Sequence, residues 1–129
     1  MYRHSSYHIG QFEVNKIGLE NGPGIEVIPA KGGILNQIFL GEQGVPLLDS
    51  LHDEKEIEEN LRFKHALLFP FPNRLKDGLY SVNNTQYSFP INEPERNNAL
   101  HGLVYDQEFV ITELDLTDQF GRIELTHIH

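Results

Sequence analysis

Glycine and proline divide this chain into short pieces, and this punctuation limits the fold more than any other feature. Eleven Gly and seven Pro residues separate short runs rich in apolar and β-branched residues. Within several of these runs apolar and polar residues alternate, as they do over residues 122–126. Alternation with a period of two is typical of strands that bury one face, and frequent turn signals favour antiparallel connections. The sequence therefore predicts an all-β chain of antiparallel strands.

The runs between the turn signals define the expected strands. We expect strands over residues 12–17, 25–28, 34–40, 45–48, 65–69, 78–82, 86–89, 108–116 and 122–128. Pro46 places the fourth of these at a sheet edge, because proline has no N–H to give to a neighbouring strand. Asn83-Asn84-Thr85 predicts a hairpin turn, since Asn tolerates the left-handed backbone.

The segment 53–60 departs from the strand pattern. It contains good helix formers, an Asp near its start and a single apolar residue, Ile57. This composition predicts a short, solvated surface helix. A cation site built from its carboxylates is the alternative, but nothing in the spacing fixes their geometry.

Length and composition favour one globular domain over residues 1–129. A chain of 129 residues can bury one core. It has no apolar run approaching the roughly 18 residues that span a bilayer and no readable signal peptide, so we expect a cytoplasmic protein. The absence of cysteine excludes disulfides, thiol catalysis and iron–sulfur clusters.

The charge balance argues against two classes of partner. The formal net charge is −9, with 19 acidic against 10 basic residues, and no basic patch is set apart. Phosphate backbones repel such a surface. We therefore expect neither a nucleic-acid partner nor an anionic membrane partner.

A stiff polar loop is the first candidate site. Pro70 and Pro72 remove backbone donors and restrict the chain, while the interleaved Phe rings supply flat apolar faces. Asn73 and Arg74 follow directly with amide and guanidinium donors. This combination suits an uncharged, hydroxyl-rich ligand such as a sugar. The structural alternative is that Arg74 pairs with an acidic neighbour, either Asp77 or Glu93.

His101 is the second candidate. It lies between apolar residues and precedes Gly102, which would let a ligand approach the backbone closely. An imidazole there can donate to a sugar hydroxyl or to the ring oxygen. The structural alternative is a hydrogen-bonded histidine with no ligand.

The third candidate, His127 and His129, is a His-x-His pair that points both rings to one face if it lies on a strand. No further metal ligand is evidently placed nearby. The sequence also lacks a Gly-x-Gly-x-x-Gly motif, a phosphate loop and a nucleophile elbow. We therefore expect no metal and no cofactor.

Taken together, the two polar loops resemble those of the aldose 1-epimerase (galactose mutarotase) family. Residues 68–80, Leu-Phe-Pro-Phe-Pro-Asn-Arg-Leu-Lys-Asp-Gly-Leu-Tyr, resemble the family's Pro-Phe-x-Asn-Arg-Ile-x-x-Gly-x-Tyr segment. Asn92 and the following Leu100-His101-Gly102 resemble its Asn…Leu-His-Gly motif. The early Gly32-Gly33 pair agrees as well. The resemblance implies an antiparallel β-sandwich of the galactose mutarotase type, of which this chain supplies the N-terminal part.

The resemblance also implies an activity and a site. The family interconverts the α and β anomers of free aldohexoses such as glucose and galactose without a cofactor. Arg74 and His101 match residues that contact the sugar, and Asn73 takes a supporting role beside them. The family's catalytic base, a Glu, and its acid, a second His, lie downstream of the Leu-His-Gly motif. No residue of this chain matches either of them, so we expect the chain alone to be inactive.

Two alternatives and one partner remain open. The alternative to an epimerase is a non-catalytic carbohydrate-binding or interaction module that kept only the substrate loops. Within the resemblance, a phosphorylated sugar would need extra cations, for which Arg74, Lys76 and Arg96 are the candidates. The last expected strand runs directly to His129, so we expect a domain with an open sheet edge that a second copy covers in a homodimer.

Overall fold

The computed structural model describes all 129 residues, Met1–His129. They form eleven strands, one α-helix and one turn of 3₁₀ helix. The elements are β1 Arg3–Ile9, β2 Phe12–Gly18, β3 Gly24–Ile28, β4 Ile34–Leu40, β5 Val45–Pro46, α1 Glu54–Glu59, β6 Arg74–Lys76, β7 Leu79–Val82, β8 Thr85–Ser88, the 3₁₀ turn Pro94–Arg96, β9 Asn98–Leu100, β10 Val110–Leu116 and β11 Gly121–Thr126. Every pair of strands is antiparallel, which confirms the predicted all-β, antiparallel class.

The chain forms two compact units. The first comprises Met1–Leu67 and Asp106–His129, and the second comprises Leu68–Tyr105. The interpretation of residues 1–129 as one domain stays a prediction.

The first unit is built on a five-stranded meander. Its strand order is β1-β2-β3-β4-β5, so each strand pairs with the next one along the chain. Strands β2, β3 and β4 were predicted to within a residue or two. Strand β5 is shorter than expected but lies at the sheet edge, as Pro46 predicted. Strand β1 was missed because its polar and mostly exposed residues give no apolar alternation.

One face of this sheet carries the core. The buried cluster contains residues from β2, β3 and β4 together with Leu51 and Ile57, and its sheet members are Phe12, Val14, Ile28 and Ile34. Ile57 is the one apolar residue of α1 and is fully buried. The helix begins after Asp53, whose carboxylate accepts the backbone N–H of Glu56 at 2.8 Å. The predicted short helix is therefore confirmed, and its single apolar residue anchors it.

Two buried amides attach the segment after β5 to the sheet. Asn36 exchanges hydrogen bonds with the backbone of Leu51, at 2.9 Å to its N–H and 3.4 Å to its carbonyl. The Oε1 of Gln37 accepts backbone N–H groups of Leu47 and Leu48, at 3.0 and 2.8 Å. Buried polar side chains of this kind must be paired, and here they replace a regular strand pairing.

The C-terminal hairpin completes the first unit. Strands β10 and β11 pair through a turn at residues 117–120, where two strands were expected over residues 108–116 and 122–128. Backbone hydrogen bonds join the segments flanking the hairpin to the rest of the unit. The N–H of Tyr2 donates to Thr117 at 2.9 Å, and the N–H of Phe109 donates to Pro29 at 2.9 Å.

The second unit contains two small pairs of strands. Strand β6 pairs with β9, and β7 pairs with β8 as a hairpin. The predicted turn between β7 and β8 is confirmed, because Asn83 and Asn84 both adopt positive φ, at 50° and 64°. Strands β6 and β9 were missed because three residues, mostly polar, are too few to show an alternation.

The expected strand at residues 65–69 is wrong. His65 has a φ of 53° and the N–H of Ala66 donates to Phe63 at 3.2 Å, so this part of the chain turns instead of extending. Only Phe69 forms a bridge, a parallel one to Gly102. The apolar residues at 66–69 resemble a strand in sequence, but the left-handed residues before them prevent it.

None of the helices combines the length and the apolar character that crossing a membrane requires.

Candidate functional site

The candidate site lies at one end of the β6–β9 pair in the second unit. Its register joins Arg74 to Leu100 and Leu75 to Ala99. The next two residues outward are Asn73, directly before β6, and His101, directly after β9. Residues predicted from two separate motifs therefore meet, because one motif contains β6, the other contains β9, and these two strands pair.

Asn73 and His101 are joined by two hydrogen bonds. The backbone N–H of His101 donates to the carbonyl of Asn73, and the backbone N–H of Asn73 donates to Nδ1 of the imidazole, both at 2.9 Å. A backbone N–H can only donate, so Nδ1 must be the unprotonated nitrogen. The proton of the neutral ring is then on Nε2, which makes this nitrogen a hydrogen-bond donor. Both residues have left-handed backbone, with φ of 65° and 63°.

The surroundings keep His101 neutral. Burial lowers the pKa of its imidazole, and the positive charge of Arg74 lowers this pKa further, while Glu93 opposes the change. The ring is therefore a neutral donor at neutral pH rather than a cation.

Arg74 is held by Glu93. Its Nε lies 3.0 and 2.8 Å from the two carboxylate oxygens, and its Nη2 lies 2.7 Å from Oε1. The hydrogen bonds from Arg74 lower the pKa of Glu93 to about 2, and the hydrogen bond from Asn98 adds to this effect. The same ion pair raises the pKa of Arg74. Both groups are therefore charged at any physiological pH.

Glu93 is the least exposed charged group of this site and has further partners. Its side chain is 8% exposed, against 44% for Arg74. Nδ2 of Asn98 donates to Oε2 at 2.7 Å, and Arg96 lies 3.9 Å from Oε1. From the sequence, Glu93 was expected only as one of two acidic partners of Arg74. No sequence signal distinguishes it from Glu95, because only the fold shows which of the two is buried.

Asn92 closes the loop that leads into β9. Its Oδ1 accepts the N–H of Leu100 at 2.6 Å, and its Nδ2 donates to the carbonyl of Leu100 at 2.8 Å and to the hydroxyl of Tyr105 at 3.0 Å. This Asn is the first residue of the Asn…Leu-His-Gly resemblance. Its side chain fixes the residue directly before His101.

The aromatic residues of the loop lie beside a different space. Phe71 packs edge-on against Phe89 at 5.0 Å, and Tyr80 stacks on Tyr87 at 5.2 Å. A cavity of about 340 Å³ is lined by Pro70, Phe71, Leu75, Tyr80 and Phe89. Because successive strand residues point to opposite faces, Leu75 and this cavity lie on the face opposite Arg74. The Phe71 ring is thus not beside the donors.

Gly102 faces backbone, not open space. A Cβ at this position would overlap the carbonyl oxygen of Phe69, and φ is +77°. The N–H of Leu103 donates to the same carbonyl at 2.8 Å. The close approach that the sequence predicted is therefore made by the preceding loop and not by a ligand.

The structure brings together Asn73, Arg74 and His101, and it separates the other candidates from them. Asp77 accepts a hydrogen bond from Asn97 at 2.8 Å instead of pairing with Arg74. The structural alternative for Arg74 is correct in that Glu93 pairs with it. That pair does not exclude a ligand, since it uses only two of the three guanidinium nitrogens.

The His-x-His pair is in the first unit. Nδ1 of His127 lies 2.8 Å from the carbonyl of Glu108, so this nitrogen carries the ring proton. The rings of His127 and His129 are 6.2 Å apart. No group of three or more His, Cys, Asp or Glu residues in the 129 residues is arranged to hold a metal ion.

The sequence profile of the aldose 1-epimerase family matches residues 16–127. This match covers most of the chain, and the fold and the arrangement of the two motifs agree with it. The chain belongs to the aldose 1-epimerase family.

Relatives and solved structures agree with this membership. The chain is 39% identical over 51 residues to YihR, an uncharacterized protein of Escherichia coli (strain K12), a match covering 40% of this chain and 17% of YihR. It resembles a galactose mutarotase-like protein from Clostridium acetobutylicum with a TM-score of 0.78 and 21% identity, and galactose 1-epimerase from Lactobacillus acidophilus NCFM with a TM-score of 0.71 and 16% identity. Each structural match covers 97% of this chain and 37% of the other. The fold is therefore that of the galactose mutarotase-like proteins, and the chain spans well under half of the length of these relatives.

Proposed function

We propose that this chain binds a free aldohexose of the glucose or galactose type, as part of an aldose 1-epimerase that interconverts its α and β anomers. The observation that carries the proposal is the meeting of Asn73, Arg74 and His101 at one end of the β6–β9 pair. The two motifs that resemble the family's substrate loops come from separate parts of the sequence, yet their polar residues converge. Family membership supports a sugar as the ligand.

The reaction needs few groups. One group removes the proton of the anomeric hydroxyl while another protonates the ring oxygen, and the bond between the anomeric carbon and the ring oxygen breaks. The open-chain aldehyde then rotates about its first carbon–carbon bond and closes on the other face, and the two protons return. Each positioned acid or base contributes roughly 10²–10⁴ to the rate.

His101 is proposed to hold the sugar through Nε2. Because Nδ1 accepts the N–H of Asn73, Nε2 carries the proton and donates to a sugar hydroxyl or to the ring oxygen. The lowered pKa keeps the ring in this neutral form. A donor at the ring oxygen also stabilises the charge that develops there as the ring opens.

Arg74 is proposed to bind hydroxyl oxygens with the donors that Glu93 leaves. The ion pair occupies Nε and one side of Nη2, and Nη1 lies 3.5 Å from Oδ1 of Asn73. Glu93 also cancels the charge of Arg74. A neutral pair suits an uncharged sugar better than a phosphorylated one, so we prefer plain aldoses.

Proton transfer in the full reaction is assigned by the resemblance to a Glu and a second His. Neither has a counterpart among these 129 residues. We therefore propose that this chain contributes substrate binding, while the acid and the base come from elsewhere. A cytoplasmic location and a homodimer stay predictions from the sequence.

The test is binding and mutarotation with the same samples. Galactose and glucose are titrated into the ¹⁵N-labelled chain, and mutarotation of freshly dissolved α-galactose and α-glucose is followed by polarimetry. We expect shifts of signals at residues 73, 74 and 101 and no acceleration of mutarotation. His101→Ala should abolish the shifts, while His8→Ala, an exposed histidine of β1, should not.

Each outcome is decisive for one part of the proposal. A folded chain that shows no shift with either sugar would overturn sugar binding. Acceleration that disappears in His101→Ala would overturn the assignment of the acid and the base to groups outside these residues.

A further inference from the structure

The carboxylate of Glu93 is saturated, whereas the guanidinium that it holds is not. Both carboxylate oxygens accept hydrogen bonds, from Arg74 at 2.7–3.0 Å and from Asn98 at 2.7 Å. An arginine has five N–H donors, and a bidentate carboxylate uses two of them. The spare hydrogen-bonding capacity of the pair is therefore all on the arginine, which is also its more exposed partner.

The position of Glu93 is fixed by β9, the strand that directly precedes His101. The backbone N–H of Asn98 donates to the carbonyl of Glu93, and the N–H of Glu93 donates to the carbonyl of Asn98, both at 3.1 Å. Asn98 is the first residue of β9, and Leu100 of this strand is paired with Arg74. The carboxylate is thus held by the same ladder whose end carries the imidazole.

This arrangement fixes the plane of the guanidinium. Two parallel N–H···O bonds leave a planar group no freedom to rotate, while a single contact would allow it. With Nε and Nη2 directed to Glu93, Nη1 lies at the opposite edge, toward Asn73 at 3.5 Å from its Oδ1. The Nη1 edge is therefore on the same side of the guanidinium as Asn73 and His101.

We propose that Glu93 is a positioning residue: it orients Arg74 so that the Nη1 edge meets the sugar hydroxyls, and it acts only through Arg74. This inference rests on the proposed sugar binding. Preorganisation of this kind raises affinity because the side chain loses no further freedom when the ligand binds.

The test is a double-mutant cycle on galactose affinity. The variants are Glu93→Gln, Arg74→Ala and the double variant, with Glu95→Gln as the matched control on an exposed acid of the same loop. We expect Glu93→Gln to raise the Kd for galactose about tenfold, and Glu95→Gln to leave it within about twofold. In the Arg74→Ala background, Glu93→Gln should have no further effect, because residues that act through one another are not additive.

A second readout follows Arg74 without any sugar. In the wild-type chain the Nε–H signal of Arg74 should be sharp and slow to exchange, because the carboxylate holds this N–H. The signal should be lost in Glu93→Gln and kept in Glu95→Gln. If Glu93→Gln does not fold, Glu93→Asp takes its place, since it keeps the charge but shortens the reach.

The outcomes separate the two proposals. Galactose binding that is unchanged in a folded Glu93→Gln variant, or effects of the two substitutions that add, would overturn the positioning role. If the wild-type chain binds no galactose, the proposed function fails, and with it the positioning of Arg74 for a sugar. The Nε–H signal then still shows whether Glu93 fixes the guanidinium.

Discussion

Asn73 and His101 hold each other through a closed pair of hydrogen bonds, in which the Asn73 N–H donates to the imidazole and the His101 N–H donates to the Asn73 carbonyl, both at 2.9 Å. The ring is thereby attached to backbone and not to a mobile side chain. The protonation state of the imidazole and the conformation of the loop before β6 are therefore coupled. Protonation of Nδ1 would remove the acceptor and place two donors against each other.

The first prediction concerns the tautomer of His101. We expect imidazole ¹⁵N shifts to show a neutral ring with its proton on Nε2 and a pKa below the ordinary 6.5, because burial and then Arg74 disfavour the cation. The folded chain then takes up this proton at a lower pH than the unfolded chain. Stability should fall as the pH drops from about 6.5 toward the folded pKa.

The matched control is Arg74→Ala, which removes the positive neighbour. The pKa of His101 should rise in this variant, but only in part, since burial is the larger cause. A pKa at or above 6.5 in the wild-type chain, or a proton found on Nδ1, would contradict the donor role of Nε2.

The second prediction concerns acid titration of Glu93. Its pKa of about 2 lies below the ordinary 4.5 because Arg74, and then Asn98, donate to the carboxylate. A lowered pKa means that the ion pair contributes its full stability above about 4.5 and loses it as the pH falls toward about 2. Side-chain carboxyl ¹³C shifts should report this value directly.

In Arg74→Ala the pKa of Glu93 should return most of the way to its ordinary range, and the stability loss at acid pH should become smaller. Glu95 is a reference on the same loop. An unchanged Glu93 pKa in Arg74→Ala would show that the ion pair is not the main cause.

The sequence predicted the strands that bury one face, but it did not predict the mostly polar strands. Strand β4 was predicted with the bounds Ile34–Leu40 because its run lies between glycines and contains buried apolar residues. Strand β1 and the short pair β6 and β9 contain few buried apolar residues. Their pairing is decided by their partners in space, which no local pattern records.

The site was predictable as far as its residues occur in recognisable motifs. Asn73, Arg74 and His101 were selected from two loops, and their role in binding a sugar stays a prediction. Their mutual hydrogen bonds and the choice of Glu93 over Asp77 as the partner of Arg74 depend on the register of the β6–β9 pair. A register between residues far apart in the sequence is a tertiary property, and local spacing does not contain it.

The third prediction separates the backbone and the side chain of Asn73. Its φ of 65° is accessible to Gly without cost, but costs Ala about 1 kcal/mol. Asn73→Gly keeps the N–H that holds His101, so we expect its galactose affinity to stay within about threefold of wild type. Asn73→Ala should be less stable than Asn73→Gly in urea unfolding.

The side-chain contact of Asn73 with Nη1 of Arg74 is long, at 3.5 Å, and should contribute little. If Asn73→Gly weakens galactose binding as much as Arg74→Ala does, the amide of Asn73 itself contacts the sugar. Its role would then be direct and not supporting.

The fourth prediction concerns Gly102, the residue after the imidazole. An added Cβ would overlap the carbonyl oxygen of Phe69, and the φ of +77° is unfavourable for any other residue. We expect Gly102→Ala to destabilise the chain by about 3 kcal/mol or more, from the backbone strain and the overlap together. Gly41 is the matched control, because its φ is +69° but no atom lies within 4 Å of its added Cβ.

Gly41→Ala should therefore cost only the backbone strain, about 1–2 kcal/mol. Urea unfolding followed by NMR signals from each unit gives both values.

A further consequence distinguishes Gly102 from an ordinary structural glycine. Displacing Phe69 also moves the loop that carries Asn73, so the Nδ1 acceptor of His101 should lose its N–H donor. The opposite result is that the two substitutions lower the free energy of unfolding equally and leave the His101 tautomer unchanged. That result would show that the Phe69 backbone moves aside and does not support the site.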